Sequence, residues 1–315
     1  MRRRKEHTKV HFSWSGRRRG LASGDAWSRR HVPYLTHTRV VPMTRIRIGT
    51  GPLPFRFDRY FSNFDGVELL DASREPIRLK VLRKLRQRAS ADFAWSLSAW
   101  HWLTDDPLDI REEVPFSLDR KQVGFFQVTE ANARLFEEVR LEVEAIQPKF
   151  LHFRTPSSFT PTEGNRAAMK AFHERFLAEL NVTPVWEARG VWTLDECREV
   201  VTPMGWLVAS DPYADFEFPA PVAGPGYYFV NGPRGKREFS TEDMEELADF
   251  IAGHEEDVIF IFRGPDRERN ATALRRLFPE GVAEFVPWEG KAPTLDDDGE
   301  YEEYDDEEED EEEED

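Results

Sequence analysis

Glu187 and Arg189 lie two residues apart where a short apolar run, residues 184–188, meets a helix-start pattern at Thr193 and Glu196. A strand feeding a helix is the repeating unit of α/β folds, and in parallel sheets the residues just past a strand's C-terminal end face the ligand site. A carboxylate and a guanidinium at such a seam can hold an anionic group and exchange a proton with it. Applied to every apolar run in the chain, the same rule collects Thr50, Glu68, Ser98, Arg154, Glu187, Arg189, Asp211, Asn231 and Arg263 at strand ends. In a partly dry cleft, three carboxylates among three guanidiniums pull proton affinities apart: an arginine keeps one carboxylate ionised while burial raises another toward a general acid.

The expected site therefore has Glu187, Glu68 and Asp211 as acid–base groups. Arg154, Arg189, Asn231 and Arg263 are its anchors, and Trp192, in the loop after Arg189, is a stacking platform for a ring. The competing account makes Glu187 and Arg189 a buried pair that only fixes strand register, and makes Asp211, just before Pro212, a turn-former. Most of the other tryptophans near the strand ends, Trp95, Trp100, Trp102, Trp186 and Trp206, read as packing. His101 and Asp105 have helical metal-ligand spacing, with Asp106 and His152 near them in sequence argument alone, and Glu68, Glu187 and Asp211 form a second conceivable cation set. Neither pattern is specific enough to assign a metal, and no cofactor is named by any motif.

Eight short apolar or β-rich runs must position these groups, at residues 46–49, 67–70, 93–98, 150–153, 184–188, 206–210, 227–230 and 258–262. Amphipathic segments separate most of them. Ile77, Val81, Leu82, Leu85 and Ala89 make one apolar stripe, Leu135, Val139, Val143 and Ile146 a second, and Met169, Phe172, Phe176, Leu177 and Leu180 a third. Thr193 with Glu196 and Ser240 with Asp243 have capping-box spacing, and Gly253 reads as a helix stop. Eight strands alternating with helices at this spacing predict a TIM-like (β/α)8 barrel in a single domain, residues 43–290. No G-x-G-x-x-G or phosphate-loop pattern follows a strand. Residues 122–128, QVGFFQV, are expected in a long loop over the barrel mouth.

Charge separates the two ends from this body. Of 60 acidic and 43 basic side chains, residues 296–315 hold seventeen acids and no base, leaving 43 of each sign elsewhere. Residues 1–45 hold twelve Lys/Arg against two acids. The basic segment 1–42 has no periodicity and is expected to be disordered. It reads as an untranslated stretch before a start at Met43, a transit peptide, a nucleic-acid arm or an inert extension. Residues 291–315 are expected to be a solvated acidic tail, serving solubility or contacting a basic surface or an unidentified protein partner. A single cysteine, Cys197, excludes an internal disulfide, and no apolar run is long enough to span a membrane. A soluble, cytoplasmic protein is the expectation. Its charge-balanced body disfavours nucleic acid as the partner.

The order of motifs resembles the YecE-like family, domain of unknown function seventy-two, and especially its archaeal-type branch. The resemblance rests on IGTG at 48–51, YFSNFDGVEL at 60–69, FAWSLSAWHWLT at 93–104, FRTPSSF at 153–159, WEARGVW at 186–192, SDP at 210–212 and the Asn270–Ala271 pair. It implies a TIM-barrel-like fold and a family without an established activity. Relatives often carry His before the glycine ending strand seven and an Asn pair after strand eight; here Asn231 precedes Gly232, and Arg263 and Gly264 follow strand eight. Chemistry done at those positions in relatives would be altered here. The functional expectation is a hydrolase or lyase acting on a small polar or anionic molecule. The alternatives are a non-catalytic binding module for nucleic acid or protein, or a degenerate family member.

Overall fold

A computed structural model describes residues 45–54, 59–214, 224–232, 239–254 and 256–278. The expected extensions, residues 1–42 and 291–315, lie outside the described residues. Eight strands form a closed barrel in sequence order: β1 (Ile46–Thr50), β2 (Gly66–Leu69), β3 (Ala94–Ser98), β4 (Phe150–Arg154), β5 (Thr183–Glu187), β6 (Leu207–Ser210), β7 (Gly226–Val230) and β8 (Val258–Phe262). Every neighbouring pair is parallel, and β1 pairs with β8 to close the ring. Among the described residues the helices are α1 (Tyr60–Asn63), α2 (Leu79–Arg88), α3 (Glu130–Ile146), α4 (Glu163–Phe172), α5 (Leu194–Val201), α6 (Thr241–Ala252) and α7 (Arg267–Arg275). None is long and apolar enough to cross a membrane.

Strand alternation builds two cores. Outward residues such as Ile48, Val67, Leu97, Leu151, Phe153, Trp186 and Phe260 pack under the helices, while Ala94, Phe150, Val185, Ala209, Tyr227, Ile259 and Ile261 fill the barrel. Fully burying a large side chain of this kind contributes about 1.5–3 kcal/mol, so the outer layer dominates the packing energy. The helices sit where their stripes require. Leu135, Val139 and Ile146 are buried along α3, whose start is capped by the Thr129 hydroxyl. The capping boxes at Thr193 and Ser240 both form. Gly253 does end α6, but with φ −76°, so the stop is right-handed rather than the left-handed cap that favours glycine. The third stripe runs off α4 into a widened π turn, His173–Leu177, that carries Phe176 and Leu177 and leaves Leu180 beyond it.

The seam between β1 and β2 is unusually close. A Cβ placed on Gly49 would lie 2.0 Å from the Gly66 carbonyl oxygen, so the backbones meet where no side chain fits. Between β3 and α3 runs the expected long loop. Asn132, fully buried, accepts from Gly124 N at 3.2 Å and donates to the carbonyls of Gly124 at 3.3 Å and Gln127 at 2.8 Å, pinning the GFFQ segment to the first turn of α3.

Candidate functional site

Inward parity on the C-terminal halves of β2 to β5 delivers Glu68, Ser98, His152, Arg154 and Glu187 to one end of the barrel interior, and Arg263 joins them one residue past β8. Arg263 is the hub. Its Nε donates to Glu68 Oε2 at 3.0 Å, and Nη2 donates to both Glu68 oxygens at 3.0 and 2.9 Å. Nη1 donates to Glu187 Oε2 at 2.8 Å. Backbone pairing locks the hub in place, since Arg263 N donates to Val230 O at 2.9 Å.

Beneath the hub, His152 stands between the two carboxylates. Its Nδ1 is 2.5 Å from Glu68 Oε1, and Nε2 lies 3.4 Å from Glu187 Oε2 but is not aligned as a hydrogen bond. The imidazole stacks on Tyr227 with ring centres 5.5 Å apart, and the Tyr227 hydroxyl meets Ser96 Oγ at 2.9 Å, giving the cluster a dry floor. Ser98 Oγ donates to Glu68 Oε1 at 3.2 Å.

The electrostatics follow from these contacts. Burial alone would raise the proton affinity of Glu68, but the Arg263 charge and then His152 overcome it and hold the carboxyl well below the usual range. Glu187 behaves alike: burial opposes ionisation, and Arg263, His152 and Arg154 together lower it. Glu68 and Glu187 thus both fall on the ionised side of the expected division, because one guanidinium serves both. The raised carboxyls sit elsewhere. Asp211 is pushed up by burial against the opposing bonds it accepts from Tyr213 and Asn231, and Asp105, in the β3–α3 loop, is pushed up by burial against the charges of His101, Arg189 and Arg154.

Toward solvent the pairing thins out. Arg154 Nε donates to Glu187 Oε1 at 3.0 Å, and Arg189 Nε approaches the same oxygen at 3.8 Å. The Arg189 side chain is 56% exposed, and among the described residues the terminal nitrogens of both arginines have no protein partner. Asn231 Nδ2 donates to Asp211 Oδ2 at 3.1 Å, while Asp211 Oδ1 accepts from Tyr213 N at 3.0 Å, so Asp211 both forms the turn and faces the rim.

Several expected roles change. Thr50 does not reach the mouth: it sits on the outward parity of β1, where its hydroxyl meets Tyr60 Oη at 2.9 Å. Arg263 is spent on two glutamates, so it is a keystone rather than an open anchor. Trp192 is part of the packing: its indole N–H donates to the Phe159 carbonyl, its ring stacks on Phe159, meets Trp186 edge-on at 4.9 Å, and lies under Arg166. Trp95, Trp100, Trp102, Trp186 and Trp206 are buried as expected, and so is Cys197, whose thiol burial pushes up to about 12. No group of three or more His, Cys, Asp or Glu is arranged to hold a metal among the described residues. His152, named from the sequence only beside a conceivable metal pattern, is the residue whose place between Glu68 and Glu187 spacing did not give. Its signal was the inward parity it shares with Arg154.

No protein-family model matches the chain, and no curated protein does. Among solved structures it is similar to a DUF72 family protein from Enterococcus faecalis V583, at 12% identity over 74% of this chain and 97% of that one, with a TM-score of 0.57. It is also similar to a DUF72 family protein from Thermotoga maritima MSB8, at 13% identity over 74% and 98% of the two chains, with a TM-score of 0.54. The barrel has the DUF72 fold. The motif resemblance to domain of unknown function seventy-two and the DUF72 likeness in structure thus coincide, and at this identity the structural likeness speaks for architecture alone.

Proposed function

We propose that the barrel mouth binds a small molecule bearing a carboxylate or phosphate, held by Arg154 and Arg189. The observation that carries this reading is the pair of guanidiniums that converge on Glu187 Oε1 and leave their terminal N–H groups unanswered. A guanidinium presents parallel donors matched to a two-oxygen anion, and Glu187 aims both forks at one place. Glu68, Arg263 and His152 act below as a rigid, charge-compensated base. If the bound molecule reacts, in a hydrolase- or lyase-type step, the proton belongs to Asp211, the rim carboxyl whose burial favours the neutral form, with Asn231 orienting it.

The test is calorimetric titration of the purified protein with inorganic phosphate, pyrophosphate and short mono- and dicarboxylates. Binding that weakens by about tenfold or more in both Arg154→Ala and Arg189→Ala supports the site. Unchanged binding in both variants overturns it. A binding-only role is favoured by the saturation of Glu68 and Glu187 with hydrogen-bond partners, and Asp211→Asn separates the two. Loss of turnover with retained binding marks an enzyme.

A further inference from the structure

The α2 surface is charged in a way no other described helix is. From Arg78 through Ala91 there is no acidic residue, and Arg78, Lys80, Arg83, Lys84, Arg86 and Arg88 all lie within it. Leu82 and Leu85 bury the inner face, while Arg78, Lys80, Arg83 and Lys84 are exposed and have no ion-pair partner among the described residues. Lys80 and Lys84 are one helical turn apart, a spacing at which like charges weaken a helix. Neighbouring α3 solves the same problem internally: Arg134 pairs with Glu138, and Arg140 with Glu137 and Glu144. The exposed cations Arg78, Lys80, Arg83 and Lys84 have no such answer among the described residues, which leaves a compact site for an extended polyanion.

We infer that the acidic tail of this chain, residues 296–315, docks on the exposed face of α2. Charge complementarity is one argument, with seventeen carboxylates and no base in twenty residues against an acid-free helix. The path of the chain is the other. At the end of α7, Arg275 donates to the Asn63 carbonyl and lies 3.2 Å from Asp65, just before β2, and Phe278 is buried three residues later. The Asp65 carbonyl in turn accepts from Ala94 N at 2.9 Å, at the start of the strand that α2 leads into. The last described turn of the chain and the C-terminal end of α2 therefore flank the same rim, opposite the mouth. Residues 279–295 form a connector of seventeen residues, which spans up to about 55 Å when extended, whereas α2 is only about 15 Å long. Tethering raises the local tail concentration enough for a weak, salt-sensitive contact to be populated.

Amine acylation footprinting by mass spectrometry tests this on the full chain, a chain ending at residue 295 and a chain beginning at Met43, all treated with nuclease first. Lys80 and Lys84 are expected to react several-fold more slowly in the full chain than in the chain ending at 295. The difference should vanish at about 0.5 M salt, where screening is short-ranged, while Lys121 and Lys170 react alike throughout. Protection kept in the chain that begins at Met43 supports the contact, and protection lost there assigns the tail to the basic segment 1–42 and overturns it. Equal reactivity of Lys80 and Lys84 with and without the tail also overturns it. A fluorescent single-stranded oligonucleotide gives an independent readout. The shortened chain should bind it more tightly than the full chain, and Lys80→Gln/Lys84→Gln in the shortened chain should remove the gain; no gain on shortening counts against the contact.

Discussion

At the N-terminal end of the barrel, Asp257 collects Arg47 Nη1 at 3.1 Å, the Arg45 amide at 3.2 Å and Lys149 Nζ at 3.7 Å. At the C-terminal end, Arg263 collects two glutamates, and those glutamates collect His152, Arg154 and Arg189. Both clusters mix carboxylates with basic side chains. They differ in what is left over: at the base one carboxylate gathers the cations, whereas at the mouth the pairing is complete only below, and the terminal nitrogens of Arg154 and Arg189 have no protein partner among the described residues. Charge inside a barrel is thus not itself a sign of function, since it also closes the bottom; under the proposed function, the guanidinium nitrogens left over at the mouth are what distinguish a binding end from a plug.

The largest contrast should come from the keystone. Arg263→Ala leaves Glu68 and Glu187 buried without their shared cation and should cost about 3–5 kcal/mol in urea unfolding, with Arg263→Lys retaining part of the loss. An effect under about 1 kcal/mol would mean that the cluster is wetter and less coupled than its geometry implies.

A third carboxyl, outside the barrel, calibrates what an unanswered charge does. Glu142 on α3 accepts from Ile77 N at 2.6 Å through one oxygen, while the other is buried without a partner, and burial pushes the group up to about 8. Between its unfolded value near 4.5 and about 8 the folded state holds a proton that the unfolded chain has released. Stability should therefore fall as pH rises through that window, by up to about 1.4 kcal/mol per unit, and Glu142→Gln should flatten the slope. Glu68 and Glu187 carry the opposite sign, stabilising above their unfolded values and losing that contribution as pH falls through the depressed folded ones. Chemical denaturation across pH 5–9 reads the first; acid titration reads the second.

Smaller effects belong to the base and the rim. Asp257→Asn keeps an acceptor for the Arg45 amide, loses the charge, and should cost about 1 kcal/mol, because the group is partly exposed. Arg189→Ala should leave stability within about 0.5 kcal/mol while weakening anion binding, and that separation of stability from binding is what a plug residue would not show.

The eight strands were legible because each is a short apolar run bounded by turn residues, and the observed bounds shift by no more than a residue or two. Which residues at the strand ends face inward was less legible, because strand parity decides which of two adjacent residues looks into the barrel. Thr50 fell on the wrong side of that alternation, and His152, two residues before Arg154, was on the right one. Glu68, Glu187, Arg154 and Arg263 were found by type and position, but their division of labour was not. Nothing local announces that Arg263 will reach Glu68 across 195 positions of sequence, nor that Trp192 will be claimed by Phe159 and Trp186.

Asn132 leaves a further mark on the mouth. By stapling the GFFQ segment to the head of α3, it makes the longest connection above the barrel an extension of a seventeen-residue helix. That arch is fixed masonry, so whatever enters the mouth meets a wall already standing on that side.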